Sequence, residues 1–281
     1  MTKESHRKQT GTARARVAVP GRASALDRIL EVLDQLQAAG RPMTGYDIAK
    51  TTGAPLSTVY ALIERMVVQG LLSRRTDGTV WIGARIYGYG LLYEGSLEFL
   101  DVARDEMHML SREVQETIQI CGRDEGMMVV LQMAEGPGHF RVTSRIGSRL
   151  PINWTASGRI LLGHLPLETR VALFGKWGRP SPTGLAPTDA RELARMSGEA
   201  LAMRLSVQIG ESESFVACLA APVINLEGEC VITISIVLPV AKAVERRQFY
   251  VDAAQAAAAR IEKRLGWALR PTEHAIGRDR A

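Results

Sequence analysis

The sequence predicts an α+β protein with an N-terminal winged helix-turn-helix domain, a linker helix and a larger C-terminal domain that combines an antiparallel sheet with helices. Three observations support this expectation. Residues 44–85 resemble two short helices followed by a hairpin, residues 86–115 lack proline, and short apolar strands alternate with turn signals beyond residue 116. Strands that neighbour in sequence through hairpin turns indicate an antiparallel sheet, which helices cover on one side.

The first helices of the N-terminal domain carry start and stop signals. A helix over 24–39 is expected to end at Gly40. Thr44 is a candidate N-cap with Asp47 three residues later, so a short helix begins there. Gly53 suits a left-handed C-cap, and Pro55 follows it. The apolar face of the first helix consists of Leu26, Ile29, Leu30, Leu33 and Leu36.

A second helix of the motif is predicted to run from Ser57, its expected N-cap, to about Gln69. Its apolar residues recur at intervals of three and four, whereas its other face carries small hydroxyl and charged side chains suited to phosphates and base edges. Strands at 71–75 and 79–83, with a Thr-Asp-Gly turn between them, form the expected wing. The residues predicted to contact DNA are Thr44, Ser57, Thr58, Tyr60, Arg65, Arg74 and Arg75.

The basic residues are concentrated near this motif. Residues 1–85 carry 13 Lys/Arg and 7 Asp/Glu, whereas residues 86–281 carry 22 and 23. This balance favours binding to a polyanion such as double-stranded DNA. The basic tail at 1–21 is expected to be disordered, because nothing in it can pack, although a disordered arm can still contact phosphates. The alternative for residues 22–85 is a small helical domain that binds protein instead of DNA.

Length and composition limit the class of protein. A chain of 281 residues with 46% hydrophobic residues is long enough for two folded domains. The sequence has no apolar run of the ~18 residues that a membrane helix needs, and its basic N-terminus lacks the apolar core of a secretion signal. The three cysteines show neither metal-ligand spacing nor a disulfide framework. We therefore expect a cytoplasmic protein with no metal, no cofactor and no membrane partner.

A linker helix is expected over 86–104, between the winged domain at 22–85 and a second domain at 105–270, which a tail at 271–281 follows. Gly88, Gly90 and Gly95 are expected to interrupt or kink this helix. Its leucines suit a dimer contact, and the alternative is that the helix packs on the second domain. The leucines concerned are Leu91, Leu92 and Leu97.

The second domain is expected to be a mixture of strands and helices. The predicted strands are 117–121, 127–133, 140–144, 215–223 and 230–237. The predicted helices are 155–164, 166–174, 189–204 and 244–265.

Three stretches together resemble the IclR family of bacterial transcriptional regulators. They read STVYALIERMVVQGLL near residue 57, GSRLPINWTASGRILLGHLP near residue 147 and FVACLAAPVINLEGECVITISI near residue 215. Their order and spacing match the family over about residues 24–266. The resemblance implies a winged helix-turn-helix, a linker helix and a GAF-like C-terminal domain that binds a small effector. It also implies homodimers, or dimers of dimers, on a palindromic operator.

The resemblance also implies which residues form the effector site. Ala156 and Ser157 match positions whose backbone groups receive an effector carboxylate, and a helix N-terminus there favours an anion on physical grounds as well. The remaining matched positions are Gln208, Cys218, Ser235 and Val237 on the later strands, with His139 and Val142 as an apolar wall. For Cys218 and Ser235, ordinary strand packing is the alternative.

Two departures from the family pattern influence the expected ligand. Trp154 stands where relatives usually have a small residue, and Val237 stands where some have a serine. An indole beside the site and one hydroxyl fewer favour a larger, less polar acid, such as an aromatic or cyclic carboxylate. In the second helix of the motif, Ala61 stands where relatives often carry Arg or His, which shifts the expected base contacts to Tyr60 and Arg65.

An enzyme is the main competing class of protein. The sequence has no nucleophile elbow, no phosphate-binding loop and no His-Glu-x-x-His helix. Glu211 and Glu213 lie in a Gly-Glu-Ser-Glu-Ser segment that is more typical of a solvated turn than of an acid–base pair. We therefore predict no catalytic residues. A binding module without sequence-specific DNA affinity is a further alternative.

Overall fold

The computed structural model describes residues 24–95, 99–138 and 140–267, and the chain divides into two compact units between residues 96 and 97. The division falls inside the segment 86–104 that the sequence predicts as a linker. Leu97, His139 and the tails at 1–21 and 271–281 lie outside the described residues.

The N-terminal unit consists of a helix-turn-helix and a short hairpin. Strands β1 and β2 pair antiparallel, with Ser73 opposite Trp81, and form the expected wing. The elements in chain order are α1 (Ala25–Ala39), α2 (Gly45–Thr52), α3 (Leu56–Val68), β1 (Leu72–Arg74), β2 (Val80–Ile82) and α4 (Ala84–Gly95).

Capping side chains set where the first two helices begin. Ser24 accepts a hydrogen bond from the Asp27 backbone N–H, and the Asp27 carboxylate accepts one from the Ser24 N–H at 2.8 Å. The Thr44 hydroxyl accepts from the Asp47 N–H at 3.1 Å and donates to the Asp47 carboxylate at 2.9 Å. The predicted N-cap at Thr44 is therefore confirmed.

The predicted N-cap of α3 at Ser57 is wrong. The helix begins at Leu56, its N-cap is Pro55, and no side chain caps it. The N–H groups of Thr58 and Val59 bond to the Pro55 carbonyl instead. Because the proline already holds the extended backbone that a cap requires, α3 starts two residues earlier than a serine cap would place it. The Ser57 side chain consequently remains exposed.

The core of the N-terminal unit joins α1, α2 and α3 to the hairpin. Its centre includes Leu36, Ile48 and Ile63, which are almost completely buried. The apolar face predicted for α1 is partly wrong, since Leu26 is 64% exposed and Leu30 44% exposed. The buried line instead passes through Val32 and Leu36, one turn apart, with Ile29 and Leu33 packed beside it.

Helix α4 is continuous and strongly exposed. Gly88 and Gly90 do not interrupt it, which corrects the prediction made from those glycines. The structure describes side-chain exposure for residues 84–93 of this helix, and none of these residues is buried. The exposed aromatic and aliphatic side chains are Tyr87, Tyr89, Leu91, Leu92 and Tyr93.

The C-terminal unit is built on a six-stranded antiparallel sheet with the order β5-β4-β3-β8-β7-β6. This confirms the predicted antiparallel α+β architecture, but helices pack on both faces of the sheet and not on one side as expected. The strands are β3 (Thr117–Asp124), β4 (Met127–Ala134), β5 (Arg149–Pro151), β6 (Ser206–Ile209), β7 (Val216–Ile224) and β8 (Cys230–Pro239). The helices are α5 (Leu100–Val114), α6 (Ala156–Ile160), α7 (Leu167–Trp177), α8 (Ala190–Ala202), α9 (Val240–Glu245) and α10 (Arg247–Arg264).

The edges of this sheet differ from the prediction. Residues 140–144 do not form a strand, and the strand that pairs with β4 at this edge is β5. Carbonyl groups of this segment bond to arginine side chains, as Phe140 does with Arg141 and Ser144 with Arg145. At the opposite edge, β6 is a strand that was not predicted.

Two predicted helices also differ from the structure. The helix expected at 155–164 is regular only over α6, and the helix expected at 244–265 begins earlier, as α9, and breaks at Arg246.

The two faces of the sheet have different roles. One face carries Ile118, Ile234 and Ile236 and packs on α5 and α10 in the largest core cluster. Side chains that alternate with these lie on the other face, where α6 packs against β7. Because a strand turns its successive residues to opposite faces, the polar and small residues of the second face lie together above the sheet. They include Gln119, Gln208, Cys218, Ser235 and Val237.

Candidate functional site

The exposed face of α3 presents the residues that the sequence predicts to contact DNA. Ser57, Tyr60 and Arg65 are exposed and Thr58 is half-buried, while Val59 and Ile63 hold the helix in the core. Tyr60 packs against the backbone at Gly45 of α2, where a Cβ atom would lie 2.9 Å from the ring. The helix-turn-helix therefore places small hydroxyls and a guanidinium on one open surface.

Two of the predicted DNA contacts already have partners within the protein. Arg74 of the wing forms an ion pair with Glu64 of α3. The Thr44 hydroxyl is occupied by its bonds to Asp47. Arg75 is exposed, and its backbone N–H bonds to the Thr79 carbonyl at the base of the turn. Arg65 and Arg75 are thus exposed cations of this surface, and neither forms an ion pair with another described residue.

Three residues of the expected effector site lie side by side on adjacent strands of the C-terminal unit. Gln208 of β6 is opposite Cys218 of β7, and Cys218 is opposite Val237 of β8. Ser235 lies two residues from Val237 and therefore on the same face. All four side chains are buried.

Helix α6 and the segment at 140–144 close over these strands. Ala156, at the start of α6, packs in one apolar cluster with Val142, Cys218 and Val237. Phe140 adds to this cluster and makes an edge contact with Phe215, with ring centroids 6.3 Å apart. The structure thus brings together expected site residues from five separate segments.

A group of buried hydroxyls and one thiol lies between α6 and the sheet. The Ser157 hydroxyl is buried and forms no hydrogen bond of regular geometry with the described residues. It lies near the thiol of Cys121, together with the hydroxyls of Ser235 and Thr233. Burial raises the pKa of Cys121 to about 11, and these three hydroxyls reduce that rise. Burial likewise raises the pKa of Cys218 to about 12.

Trp154 stands beside α6 with its indole turned to a neighbouring loop. Its Nε1–H donates to the Arg179 carbonyl at 2.8 Å, and the adjacent Asn153 donates to the same carbonyl and to that of Pro187. The half-buried ring is therefore fixed by its polar edge.

The segment between β6 and β7 is held more tightly than a solvated turn. Arg159 of α6 is only 2% exposed, and its Nη1 lies 2.8 Å from Glu211 Oε2. Glu213 accepts a hydrogen bond from the Thr143 hydroxyl, which corrects the expectation that both glutamates are merely solvated. Burial raises the pKa of Glu211, and the Arg159 guanidinium offsets part of that rise.

Sequence reasoning missed several residues of this region. Gln119 and Cys121 lie on the site face of β3, and Arg159 lies under the loop that follows β6. An arginine inside the apolar run Gly-Arg-Ile-Leu-Leu was a visible signal of a buried charge that needs a partner. The expected wall residue His139 is outside the described residues.

Within the described residues, no group of three or more His, Cys, Asp or Glu side chains could hold a metal ion. In the same part of the chain, no helix is both long and apolar enough to cross a membrane.

Comparison with protein families gives two matches that together cover most of the chain. Residues 25–76 match the IclR helix-turn-helix domain, and residues 92–263 match the C-terminal domain described as bacterial transcriptional regulator IclR.

Curated relatives carry regulatory names. The chain is 27% identical over 226 residues to the HTH-type transcriptional regulator KipR of Bacillus subtilis, covering 80% of this chain and 90% of that protein. It is 28% identical over 221 residues to the HTH-type transcriptional repressor AllR of Klebsiella pneumoniae, covering 78% of this chain and 81% of that protein.

Solved structures of similar fold span both units. An IclR homologue from Microbacterium hydrocarbonoxydans complexed with 4-hydroxybenzoate is 27% identical, with a TM-score of 0.72, and covers 87% of this chain and 100% of that chain. The Thermotoga maritima IclR structure has a TM-score of 0.68 at 22% identity, covers 86% of this chain and 98% of that chain, and supports the fold alone.

Proposed function

The chain belongs to the IclR family of bacterial transcriptional regulators, and on this premise we propose that it binds a palindromic operator under the control of a small carboxylic acid. The proposed DNA contacts are Ser57, Thr58, Tyr60, Arg65 and Arg75, together with Thr44 and Arg74, which have partners within the protein. The exposed face of α3 supports this assignment, because a helix with small hydroxyls and a free guanidinium can enter the major groove.

The proposed effector site lies between α6 and the face of the sheet that carries Cys218 and Ser235. The observation that carries the proposal is the buried Ser157 hydroxyl, which lies beside Ala156 and, although it is near the Cys121 thiol, forms no hydrogen bond of regular geometry with the described residues. A buried hydroxyl without a partner is costly, and a ligand oxygen would satisfy it. The other proposed contacts are His139, Val142, Trp154, Gln208, Cys218, Ser235 and Val237.

Aromatic or cyclic acids are the proposed class of effector. The walls formed by Val142, Val237 and Phe140 are apolar and suit a ring. The relative from Microbacterium hydrocarbonoxydans was crystallised with 4-hydroxybenzoate, which belongs to this class. Compact oxoacids would leave those apolar walls uncovered.

A thermal-shift screen of carboxylic acids tests the effector class. An acid at 100 times its Kd should add about 2.7 kcal/mol to the apparent stability, so 4-hydroxybenzoate and other ring acids should raise the Tm measurably. Micromolar binding of glyoxylate or pyruvate, with no binding of aromatic acids, would contradict the proposed class.

DNA binding is tested with operator fragments selected from a random-sequence pool. Fluorescence anisotropy should show that the selected sites are palindromic and that the identified acid changes the affinity of the full-length protein for them. Unchanged affinity in the presence of saturating acid would contradict control by the effector.

We also propose that the chain forms a homodimer, or a dimer of dimers, through α4. The support is that none of the side chains described at 84–93 is buried, that Tyr87 and Leu91 are exposed, and that Leu92 is 76% exposed. Light scattering should report a dimer or tetramer for the native chain and a smaller species for Leu92→Glu. A native monomer at micromolar concentration would contradict the proposal.

A further inference from the structure

Gly45 is the first residue of α2, and its backbone does not explain why it is a glycine. The residue is buried, helical and outside the left-handed φ region that favours glycine. Alanine is the better helix former, so local propensity does not favour glycine at this position either. The explanation therefore lies in what packs beside this residue.

The Tyr60 ring of α3 occupies the space that a side chain at Gly45 would fill. A Cβ atom at Gly45 would lie 2.9 Å from Tyr60 Cε1, 3.0 Å from Cζ and 3.3 Å from Cδ1. Carbon atoms pack best at about 3.5–4.0 Å, so the ring could not keep this position beside an alanine. The position of Tyr60 therefore depends on the missing side chain at residue 45.

The hydroxyl end of the Tyr60 ring is the end that lies at α2. Cζ bears the hydroxyl and is one of the two ring atoms nearest to Gly45. The residue is 42% exposed, and its hydroxyl forms no hydrogen bond with the described residues. The ring thus reaches from α3 to the first turn of α2, and its hydroxyl is available to a partner outside the described part of the chain.

The Tyr60 ring can move more easily than α3 itself. Val59 and Ile63, which precede and follow Tyr60, are 2% and 1% exposed and hold α3 in the core. A side chain at residue 45 would therefore turn the partly exposed ring away from α2 and leave the helix in place. Such a change moves the hydroxyl at little cost in stability.

The two helices contact different parts of a DNA duplex. In a helix-turn-helix, the second helix enters the major groove and the first helix crosses the phosphate backbone. Here α2 is the first helix of the motif and α3 is the second. A hydroxyl that is carried from α3 to the first turn of α2 is therefore directed at the phosphates and not at base edges. Tyrosine is one of the side chains that bond to phosphate oxygens.

We propose that Tyr60 donates a hydrogen bond to a DNA phosphate, and that Gly45 acts through Tyr60 as a positioning residue. The inference rests on the proposed function, because it takes the exposed face of α3 to bind an operator. It replaces the base contact expected at Tyr60 with a contact that fixes the protein on the duplex without reading the sequence.

A double-mutant cycle tests whether Gly45 acts through Tyr60. The native protein, Gly45→Ala, Tyr60→Phe and the double variant, all full-length, are titrated by anisotropy with an operator selected from the random pool. Tyr60→Phe should weaken binding by about tenfold or more, the range of a hydrogen bond to a charged group. Gly45→Ala should weaken it by about three- to tenfold in the native background and have no further effect in Tyr60→Phe.

Sequence preference and salt dependence identify the phosphate contact. Tyr60→Phe and Gly45→Ala should each weaken binding by one factor across a panel of operators with single base-pair substitutions, because a phosphate carries no sequence information. The salt slope should not change, because a neutral hydroxyl releases no counterion.

Two measurements separate this role from a general effect of the substitution. The Tm of Gly45→Ala should be unchanged or slightly higher, because the ring can shift and alanine is the better helix former. Gly175→Ala on α7 is the matched control, since a Cβ atom there would meet Ala190 at an ordinary 3.8 Å, and it should leave DNA affinity unchanged.

Three results would overturn the inference, and they can be told apart. Equal effects of Gly45→Ala in the native and Tyr60→Phe backgrounds would contradict the positioning role of Gly45. Unchanged affinity in Tyr60→Phe, or a change confined to operators altered at one base pair, would refute the phosphate contact and leave operator binding intact. A native protein that selects no sequence from the random pool would exclude the proposed function and this inference together.

Discussion

The guanidinium of Arg159 lies 2.8 Å from the carboxylate of Glu211, and this ion pair joins α6 to the loop between β6 and β7. Arg159 is almost completely buried, and its backbone carbonyl accepts a hydrogen bond from Ser197 at 2.7 Å. The pair connects two parts of the candidate effector site that are far apart in sequence. We therefore expect a substitution at either residue to change the stability of the C-terminal unit.

Glu211→Gln should destabilise the C-terminal unit. The substitution leaves a buried guanidinium without its counter-charge, a change that typically costs about 3 kcal/mol or more. The Tm should fall by several degrees in differential scanning calorimetry. Glu199→Gln is the matched control, since Glu199 pairs with Arg195 on an exposed helix surface and such pairs contribute about 0.3–0.5 kcal/mol. Similar Tm changes in the two variants would contradict the stabilising role assigned to the Arg159–Glu211 ion pair.

Ser157→Ala should have opposite effects on stability and on effector binding. The buried Ser157 hydroxyl forms no hydrogen bond of regular geometry with the described residues, so its removal should leave the free energy of unfolding unchanged or slightly raise it. The same change should weaken binding of the effector identified by the acid screen by about three- to tenfold, if the hydroxyl contacts its carboxylate.

Ser197→Ala is the control for this experiment. The Ser197 hydroxyl is also buried but donates to the Arg159 carbonyl, so its loss should cost about 1 kcal/mol. Effector affinity measured at a temperature where both variants are folded separates the two roles. Unchanged affinity in Ser157→Ala would remove this hydroxyl from the proposed site.

The three cysteines should resist modification in the folded protein. Burial raises the pKa of Cys121 to about 11 and of Cys218 to about 12, and it also raises the pKa of Cys230. A disulfide reagent such as DTNB at pH 8 should therefore react slowly with native protein and rapidly with all three thiols in urea, because the thiolate is the reactive form. Rapid reaction of one thiol in the native protein would contradict the prediction, because it would show that the region around this thiol opens to solvent.

The same pKa shifts predict how stability depends on pH. Unfolded thiols lose their protons near the ordinary pKa of 9.0, whereas the folded ones keep them to higher pH. Between these values the unfolded chain binds fewer protons, so the free energy of unfolding should fall as pH rises above about 9. Urea titrations at pH 8 and pH 10 measure this change, and replacing Cys121 and Cys218 by alanine should reduce it.

Substitutions on α3 should change DNA affinity in opposite directions. Arg65→Ala removes an exposed cation and should weaken operator binding, with a salt slope smaller by about one if the contact is to phosphate. Glu64→Gln removes a negative charge from the same face and frees Arg74, so it should strengthen binding. Anisotropy titrations at several salt concentrations measure both effects. Identical affinities for the native protein and Arg65→Ala would exclude Arg65 from the interface.

Local sequence signals account for much of the N-terminal unit. The Thr44 cap, the glycine after α2 and the spacing of three and four in α3 all act between residues close in the chain. The exposed positions of Leu26 and Leu30 could not be derived in this way. Which side of α1 is buried depends on where α2 and α3 pack, and the apolar residues of α1 cover more than one side.

The C-terminal unit shows the same division between local and long-range information. Strands β7 and β8 are long apolar runs joined by a turn and could be recognised, whereas β6 has four residues and is a strand because β7 pairs with it. Residues 140–144 have a strand-like composition but pair with no strand of the sheet. Pairing across the sheet, which no single segment encodes, decided both cases.

The sequence by itself determined the family and most of the helices and long strands, because motifs and periodicity are properties of contiguous residues. The grouping of Ala156, Cys218 and Val237, which pack in one cluster, followed from the family resemblance. Only the tertiary structure decided that Arg159 neutralises Glu211, that Glu211 orients the Gln208 amide and that Glu64 occupies Arg74. Arg159 and Glu211 are 52 residues apart in the chain, so their contact forms only when the segments that carry them pack together. Burial and register, which arise when distant segments pack, set the direction of each hydrogen bond and the partner of each charge.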